Sequence, residues 1–299
     1  MAKEKSKSET LQFLEQIRRL AITGLFSDSL LLERLVLKGG NLLDLVYRVS
    51  SRSSMDIDLS IDGDFAESAD KLRNRIEKAL ASSFSDAGLT VFDVNLRDVP
   101  PEITENMKAF WGGYKIDFKI IEATRFDALR GDIEILRRNC LSVGERGSTK
   151  FKIDISKYEH CVGKQLADVD GYTIYTYSPS MFVCEKLRAI CQQMPAYVQL
   201  VHNHPSARSR DFLDIYLVAE AFPQDPSSSE FRSLLRSTFN AKRVPLSLLN
   251  EIARSRDFHS DDFVSVVDTV KPGQNIQAFN FYFEYVLRFY ERLESFWDE

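Results

Sequence analysis

Residues 36–61 read VLKGGNLLDLVYRVSSRSSMDIDLSI, and the fold follows from how this stretch divides. Residues 55–61 alternate strictly, as a strand with one buried face does. Ile57, Leu59 and Ile61 take the buried face, and Asp56, Asp58 and Ser60 take the other. Carboxylates two apart on one strand face have Cα atoms about 6–7 Å apart. They can converge on a pair of metal ions roughly 4 Å apart. Without a counter-ion, Asp56, Asp58, Asp62 and Asp64 repel one another across a small region, and a divalent cation relieves that. At the other end, Gly39 and Gly40 stand before an apolar-periodic helix starting at NLLDLVYRV. Glycines there let backbone N–H groups approach an anion, and the helix dipole favours phosphate. Oxygen ligands of this type suit Mg²⁺, which keeps waters and takes nucleotide phosphates as further ligands.

Outward from this block, residues 9–36 have helical periodicity, with Gly24 expected to break the stretch in two. Residues 66–83 form a helix that begins acidic. Strand signals follow at 90–97, 113–121 and 149–156, and residues 172–177 add a short edge strand. From Ser178-Pro179 onward the pattern is helical: 180–193, 206–221, 228–239, 245–254 and 276–296, with Pro205, Pro223 and Pro226 marking breaks. The pattern therefore predicts an α/β domain over residues 1–177 and a helical domain over 178–299.

Composition narrows the class. A chain of 299 residues with 44% hydrophobic side chains is too apolar for a disordered protein, and 13 Gly with 9 Pro is too few for a collagenous one. No apolar run approaches the roughly 18–20 residues of a membrane span, and the opening MAKEKSKSET runs into charged helix rather than an apolar signal. A cytoplasmic protein is expected. The net charge of −5 argues against a wholly basic nucleic-acid coat but leaves room for a local basic surface. Cys140, Cys161, Cys184 and Cys191 show no CxxC pair, so reduced and mostly buried thiols are expected.

Taken together, Lys38-Gly39-Gly40 with Leu42, then Arg52, Ser54, Asp56 and Asp58, resemble the AbiEii/AbiGii toxin family within the polymerase-β-like nucleotidyltransferase superfamily. A second block strengthens the likeness. SPSMFVCEKLRAICQQ (178–193) carries Glu185, Lys186, Leu187 and Ala189, and ARSRDFLDIYLVAE (207–220) carries Arg210, Asp211, Asp214 and Leu217, matching the family's paired helices. The two blocks span about residues 36–220; no family motif is placed beyond them.

The resemblance implies an α+β nucleotidyltransferase core with a mixed sheet, completed by the helical domain. It implies Mg²⁺, with Mn²⁺ an alternative, held by Asp56 and Asp58, and a nucleoside triphosphate contacted by Lys38, Gly39, Gly40, Arg52, Ser54 and Lys186. Asp211 would orient Lys186 or act on the incoming hydroxyl. A third carboxylate is expected on a neighbouring strand, from Asp154 or Asp117; Asp154 is preferred because FKIDIS precedes the EKLRA helix. The implied acceptor is RNA, with a tRNA 3′ end leading, and the implied partner is a cognate antitoxin. Two other readings stay open: nucleotidylation of a protein or small molecule, and a catalytically silent nucleotide-binding module. The bland reading of Lys186 and Asp211 is a structural ion pair between helices.

Two further signals read as structural, and a third is left open. His202-Asn203-His204 is a solvated Pro-bounded loop without a nuclease context. The aromatic stretch with Phe279, Phe283, Val286 and Tyr290 is a core-facing helix. Arg125, Arg130, Arg137, Arg138, Arg146, Lys150 and Lys152 could hold a nucleic-acid backbone, but interleaved acids make a mixed-charge surface the competing reading.

Overall fold

The computed structural model describes residues 7–49, 56–129, 131–142, 148–202, 204–270 and 275–293. Two N-terminal helices, α1 (Lys7–Ser27) and α2 (Ser29–Arg34), lead into β1 (Val36–Lys38). A helical turn α3 (Gly39–Asn41) continues as a π-helical turn over Leu42–Val46. Then come β2 (Ile57–Ser60), α4 (Ala69–Ser85), β3 (Leu89–Val99), β4 (Gly113–Glu122), α5 (Ala123–Ala128), α6 (Ile133–Asn139) and β5 (Phe151–Ser156). The hairpin β6 (Gln165–Val169) and β7 (Tyr172–Thr176) closes the β-containing half.

The seven strands form one sheet in the order β3-β4-β5-β2-β1-β7-β6. β2 runs parallel to β5 and β1 parallel to β7, while the other pairs are antiparallel. The fold is therefore α+β with a mixed sheet. Parallel neighbours need long connections. Residues far apart in the chain, such as Asp58 and Asp154, are thereby brought side by side.

The helical half comprises α7 (Pro179–Cys191), α8 (Pro195–Val201), α9 (Ser209–Ala221), α10 (Ser229–Ala241), a 3₁₀ segment (Leu246–Ser255), α11 (Arg256–Ser260), α12 (Phe263–Asp268) and α13 (Phe279–Glu291). Buried side chains from both halves belong to one continuous apolar cluster, including Leu37, Leu59, Ile153, Phe182, Leu187, Phe212 and Phe283. Phe279, Phe283, Val286 and Tyr290 do face this core. All four cysteines are free thiols, with Cys140 half-buried and the others buried.

Four expectations about local structure change. Gly24 does not break α1, because it is where α4 presses close: a Cβ there would lie 2.5 Å from Ser83 Oγ and 3.0 Å from the Ala79 carbonyl oxygen. The absence of a side chain permits the helix contact rather than ending the helix. β7 is not the edge strand, since it pairs with both β1 and β6. The edge belongs to β6, where Gln165, Leu166 and Asp168 are exposed and only Val169 is buried, so no alternation marks it in the sequence. The stretch 245–254 coils as a 3₁₀ rather than an α-helix. The Pro-bounded linker contains α8, with Pro195 in its first turn, where a missing N–H costs nothing.

Candidate active site

The register of the sheet assembles the site. Lys38 on β1 pairs with Asp58 on β2, Asp58 with Asp154 on β5, Asp154 with Lys115 on β4, and Lys115 with Arg97 on β3. Register partners in a pleated sheet point to the same face. One row therefore reads cation, carboxylate, carboxylate, cation, cation. Asp56 enters from the start of β2, held by a buried relay. Asn41 Nδ2 donates to the Asp56 carbonyl oxygen at 2.7 Å, and Arg18 donates to Asn41 Oδ1 at 3.1 Å while pairing with Asp44 at 3.2 Å. Asn41 is fully buried. It stood at an unassigned place in the glycine motif, and only its position in space shows its task.

The carboxylates are under electrostatic stress. Removal from bulk water pushes Asp58 up to about 6; Lys38 and Lys186 oppose this, and Asp154 and Asp56 add to it. Asp154 is also raised, by burial first, with Lys115 opposing and Asp56 adding. Its Oδ1 is buried with no hydrogen-bond partner among the described residues. An orphaned acceptor beside a second carboxylate is a costly arrangement. Asp117, the rival third carboxylate, is instead engaged by Arg97 at 3.4 Å and Lys150 at 2.8 Å.

Gly39 shows why a glycine stands before this turn. Its φ is +66°, and a Cβ would overlap Asp58 Oδ2 and come within 2.9 Å of Asp58 Cβ and Cγ. The missing side chain makes room for Asp58, a reason separate from any phosphate contact. Gly39→Ala is accordingly expected to cost about 1–3 kcal/mol in backbone strain and to displace Asp58. The checks are the unfolding midpoint and the loss of any Mg²⁺-induced rise in melting temperature.

The opposite wall comes from the helical half. Lys186 on α7 donates to Asp211 Oδ1 on α9 at 2.8 Å, and the Arg208 guanidinium lies 3.9 Å from Asp211 Oδ2. Burial alone would lower the Lys186 ammonium, but Asp211, Glu185 and Asp214 raise it above the ordinary lysine value. Lys186 is thus a held, permanent cation. The N–H of Arg208 donates to His259 Nδ1 at 3.0 Å, so α11 props the start of α9.

Between the walls lies a buried ionic cluster that sequence reading missed. Glu159 accepts from Arg188 at 2.8 and 3.2 Å and stands 3.6 Å from both Lys38 and Lys242. Burial would raise its carboxyl, yet Arg188, Lys242 and Lys38 hold it far below the usual range. Lys38 also donates to Ser156 Oγ at 3.0 Å and faces Glu185 at 3.8 Å.

These groups line one cavity of about 580 Å³, within the size range of ligand pockets. Asp56, Asp58, Asp154, Lys38, Gly39, Gly40, Lys186 and Asp211 all border it. Arg52 and Ser54 lie outside the described residues, as do Arg130, Arg146 and Asn203. His202 borders the cavity at the end of α8, and His204 is exposed. Of the basic cluster, Arg137 pairs with Asp93 and Glu134, and Lys150 with Asp117.

Among the described residues, no three His, Cys, Asp or Glu side chains are drawn together tightly enough to cage a metal ion. The donor set nevertheless fits a hard divalent cation. It is all oxygen, burial and the neighbouring carboxylates raise Asp58 and Asp154 above their ordinary values, and it includes Asp154 Oδ1, which has no partner among the described residues.

The family model described as "Nucleotidyl transferase AbiEii toxin, Type IV TA system" matches residues 21–285. This chain belongs to the AbiEii family. It is therefore a nucleotidyltransferase-family toxin of the type IV toxin–antitoxin class, and the match covers both the sheet motifs and the helices that face them. Among solved structures, JHP933 from Helicobacter pylori is similar at 14% identity and a TM-score of 0.49, over 98% of this chain and 96% of that one. An antigenic nucleotidyltransferase-like protein from Paracoccidioides brasiliensis is similar at 14% identity and a TM-score of 0.33, over 79% and 92%. No curated protein matches the chain. Among the described residues, no helix is long and apolar enough to cross a membrane.

Proposed function

We propose that this AbiEii-family protein transfers a nucleoside monophosphate from a nucleoside triphosphate to an acceptor hydroxyl on RNA, with a tRNA 3′ end as the leading acceptor. The observation that carries the reading is the shared cavity. Asp58 and Asp154 are register neighbours on one wall, and the Lys186–Asp211 pair stands on the other. Asp56, Asp58 and Asp154 would hold Mg²⁺ or Mn²⁺. When bound, the cation supplies Lewis-acid activation of the attacking hydroxyl and neutralises phosphate charge. Lys186, fixed by Asp211, attracts the triphosphate as a compact cation, and Lys38 adds charge from β1. Gly39 and Gly40 offer backbone N–H groups to the phosphates, with Arg52 and Ser54 assigned to the same task. The acceptor hydroxyl gives up its proton to a cavity carboxylate or to water as its oxygen attacks the α-phosphorus, the bond to the bridging oxygen of the β-phosphate breaks, and pyrophosphate leaves with that electron pair. On this reading the helical segment 178–299 completes the active site of the core formed by 1–177. The protein acts in the cytoplasm under control of a cognate antitoxin.

The test uses purified protein, Mg²⁺, total RNA and labelled nucleoside triphosphates. Label is expected to enter RNA, and Asp56→Ala is expected to stop it. Label on protein that resists ribonuclease would redirect the proposal to protein nucleotidylation. Transfer indifferent to Asp56→Ala would refute the assigned site.

A further inference from the structure

The row that sets Asp58 beside Asp154 does not stop at the carboxylates. Lys115 on β4 stands next to Asp154, and Arg97 on β3 stands next to Lys115. Lys152, two residues before Asp154 on β5, shares that face, since alternate side chains of a strand point the same way. Lys150 continues the line just ahead of β5. All of these cations are exposed. Lys115 borders the cavity, whereas Arg97, Lys150 and Lys152 lie outside it. The strip begins at the rim of the active site and runs outward over the sheet. It keeps Lys150 and Lys152 from the basic cluster of the sequence and takes Lys115 and Arg97 from earlier strands.

We infer that this strip is the track of the acceptor RNA backbone: the terminal nucleotide enters the cavity beside Asp154, and the phosphates preceding it lie over Lys115, Arg97, Lys152 and Lys150. The inference rests on the nucleotidyltransferase reading above. It adds which surface carries the acceptor, and that this surface reads backbone charge and not base sequence.

The charge balance of the strip favours a polyanion. Arg97 at 3.4 Å and Lys150 at 2.8 Å share one carboxylate, Asp117. Among the described residues, Lys115 and Lys152 form no ion pair. Asp98, next to Arg97 in the chain, lies on the opposite face, where Lys157 holds it at 2.9 Å beside the Tyr114 ring. Asp93, farther along β3, is matched by Lys119 at 2.6 Å and Arg137 at 2.7 Å. Positive charge therefore exceeds negative from Lys115 outward. A small anion would use one or two of these groups. A chain with a charge on every nucleotide uses them in succession, and each phosphate neutralised by Lys or Arg releases condensed counter-ions.

The shape of the surface suits the same occupant. α4 packs against the other face of the sheet, with the Phe84 ring 5.8 Å from that of Phe118. On the strip's own face, β4 turns apolar at Ile121, where Phe126, Leu129 and Leu136 of the α5–α6 region cover it. Beyond the carboxylates the helical half rises, and Arg208 and Arg210 line the cavity there. Between these covers Lys115, Lys152 and Arg97 stay exposed, on strands about 4.8 Å apart. No side chain of the strip is aromatic, so it offers charge without a stacking surface for bases. The strip is also close to the reacting centre. Burial raises the Asp154 carboxyl, and Lys115, Lys152 and Arg97 all oppose that rise, so one chain can occupy both places.

The experiment follows the fluorescence anisotropy of 5′-labelled oligoadenylate and oligouridylate with free 3′ hydroxyls, in rising KCl, with labelled oligoglutamate as a polyanion that is not a nucleic acid. The logarithm of the RNA association constant is expected to fall against that of the salt concentration with a slope of about −3, near 0.7 for each cation of the strip. Lys115→Gln and Lys152→Gln are each expected to weaken binding about threefold and to make the slope shallower by about 0.7, equally for both RNAs. Lys78→Gln, on the exposed side of α4 behind the sheet, is expected to change neither. Lys152→Gln is also expected to leave the binding of an α,β-methylene nucleoside triphosphate with Mg²⁺ unchanged, which separates the track from the nucleotide site. RNA binding of undiminished strength and slope in the double variant Lys115→Gln with Lys152→Gln overturns the track and leaves the nucleotidyltransferase reading standing. A weakening that differs severalfold between the two RNAs overturns the reading of backbone charge alone. Oligoglutamate bound as tightly as RNA, and weakened by the same variants, overturns the RNA assignment in favour of an acidic protein segment. Failure of both RNAs and of the nucleotide analogue to bind overturns the nucleotidyltransferase reading and this inference with it.

Discussion

Asp58→Asn is expected to remove nucleotidyl transfer, by at least about 10³-fold, while making the metal-free protein more stable. The first effect follows from the loss of a cation ligand at the reacting centre, where charge stabilisation is worth several kcal/mol. The second follows from the burial of the same carboxylate. Its folded-state pKa of about 6 lies above the ordinary value of 3.8, so at neutral pH the folded chain bears a penalty for keeping it ionised. Asp58 is only partly buried and borders the open cavity. After that discount the penalty is on the order of 1–2 kcal/mol. The sign is definite: the folded state binds this proton more tightly, so the wild-type chain closes the gap to the variant as pH falls from 6 toward 4. Urea unfolding in a chelator at pH 7.5 and at pH 4.5, beside the transfer assay, checks both effects. Equal midpoints at pH 7.5, or retained transfer, would remove Asp58 from the role assigned to it.

Glu159→Gln is expected to be the most destabilising single change in the molecule, at about 3–5 kcal/mol, as when one partner of a buried ion pair is removed. Glu159 is 3% exposed and Arg188 2% exposed. The substitution leaves Arg188, Lys242 and Lys38 gathered around a neutral amide. The wild-type carboxyl sits far below its ordinary value of 4.5, so its contribution is present above that pH and is lost on acidification. The double variant Glu159→Met with Arg188→Met should recover part of the loss, since it buries no unpaired guanidinium. Denaturant midpoints of the single and double variants measure this. A single-variant loss below about 1 kcal/mol would show that water or movement of Lys242 replaces the carboxylate.

The two predictions pull in opposite directions for one reason. Burial and neighbouring carboxylates raise Asp58 and Asp154 more than the described cations lower them, whereas the cations around Glu159 outweigh its burial. The first arrangement stores unfavourable energy that a ligand can relieve. The second holds the helical half against the sheet, because Glu159 follows β5 while Arg188 and Lys242 come from α7 and α10.

Much of this was written locally along the chain. Strict alternation at 55–61 marked β2 and the face on which Asp58 lies, and apolar spacing marked α4, α7 and α9. The EKLRA and RDFLD helices supplied the Lys186–Asp211 pair, since each partner sits on a periodic helix with a recognisable motif. Local pattern depends on side-chain volume and polarity over a few residues, and these are visible without a fold. Other features depended on chain segments meeting in space. The choice between Asp154 and Asp117 as the carboxylate beside Asp58 needed the parallel register of β2 and β5. Gly24 and Gly39 owe their places to a neighbouring helix and to Asp58, not to the turns that a glycine suggests by itself. Glu159, Arg188 and Lys242 carry no shared spacing, because electrostatic partners in a dry interior are selected by distance through space, and distance along the chain leaves no trace of it.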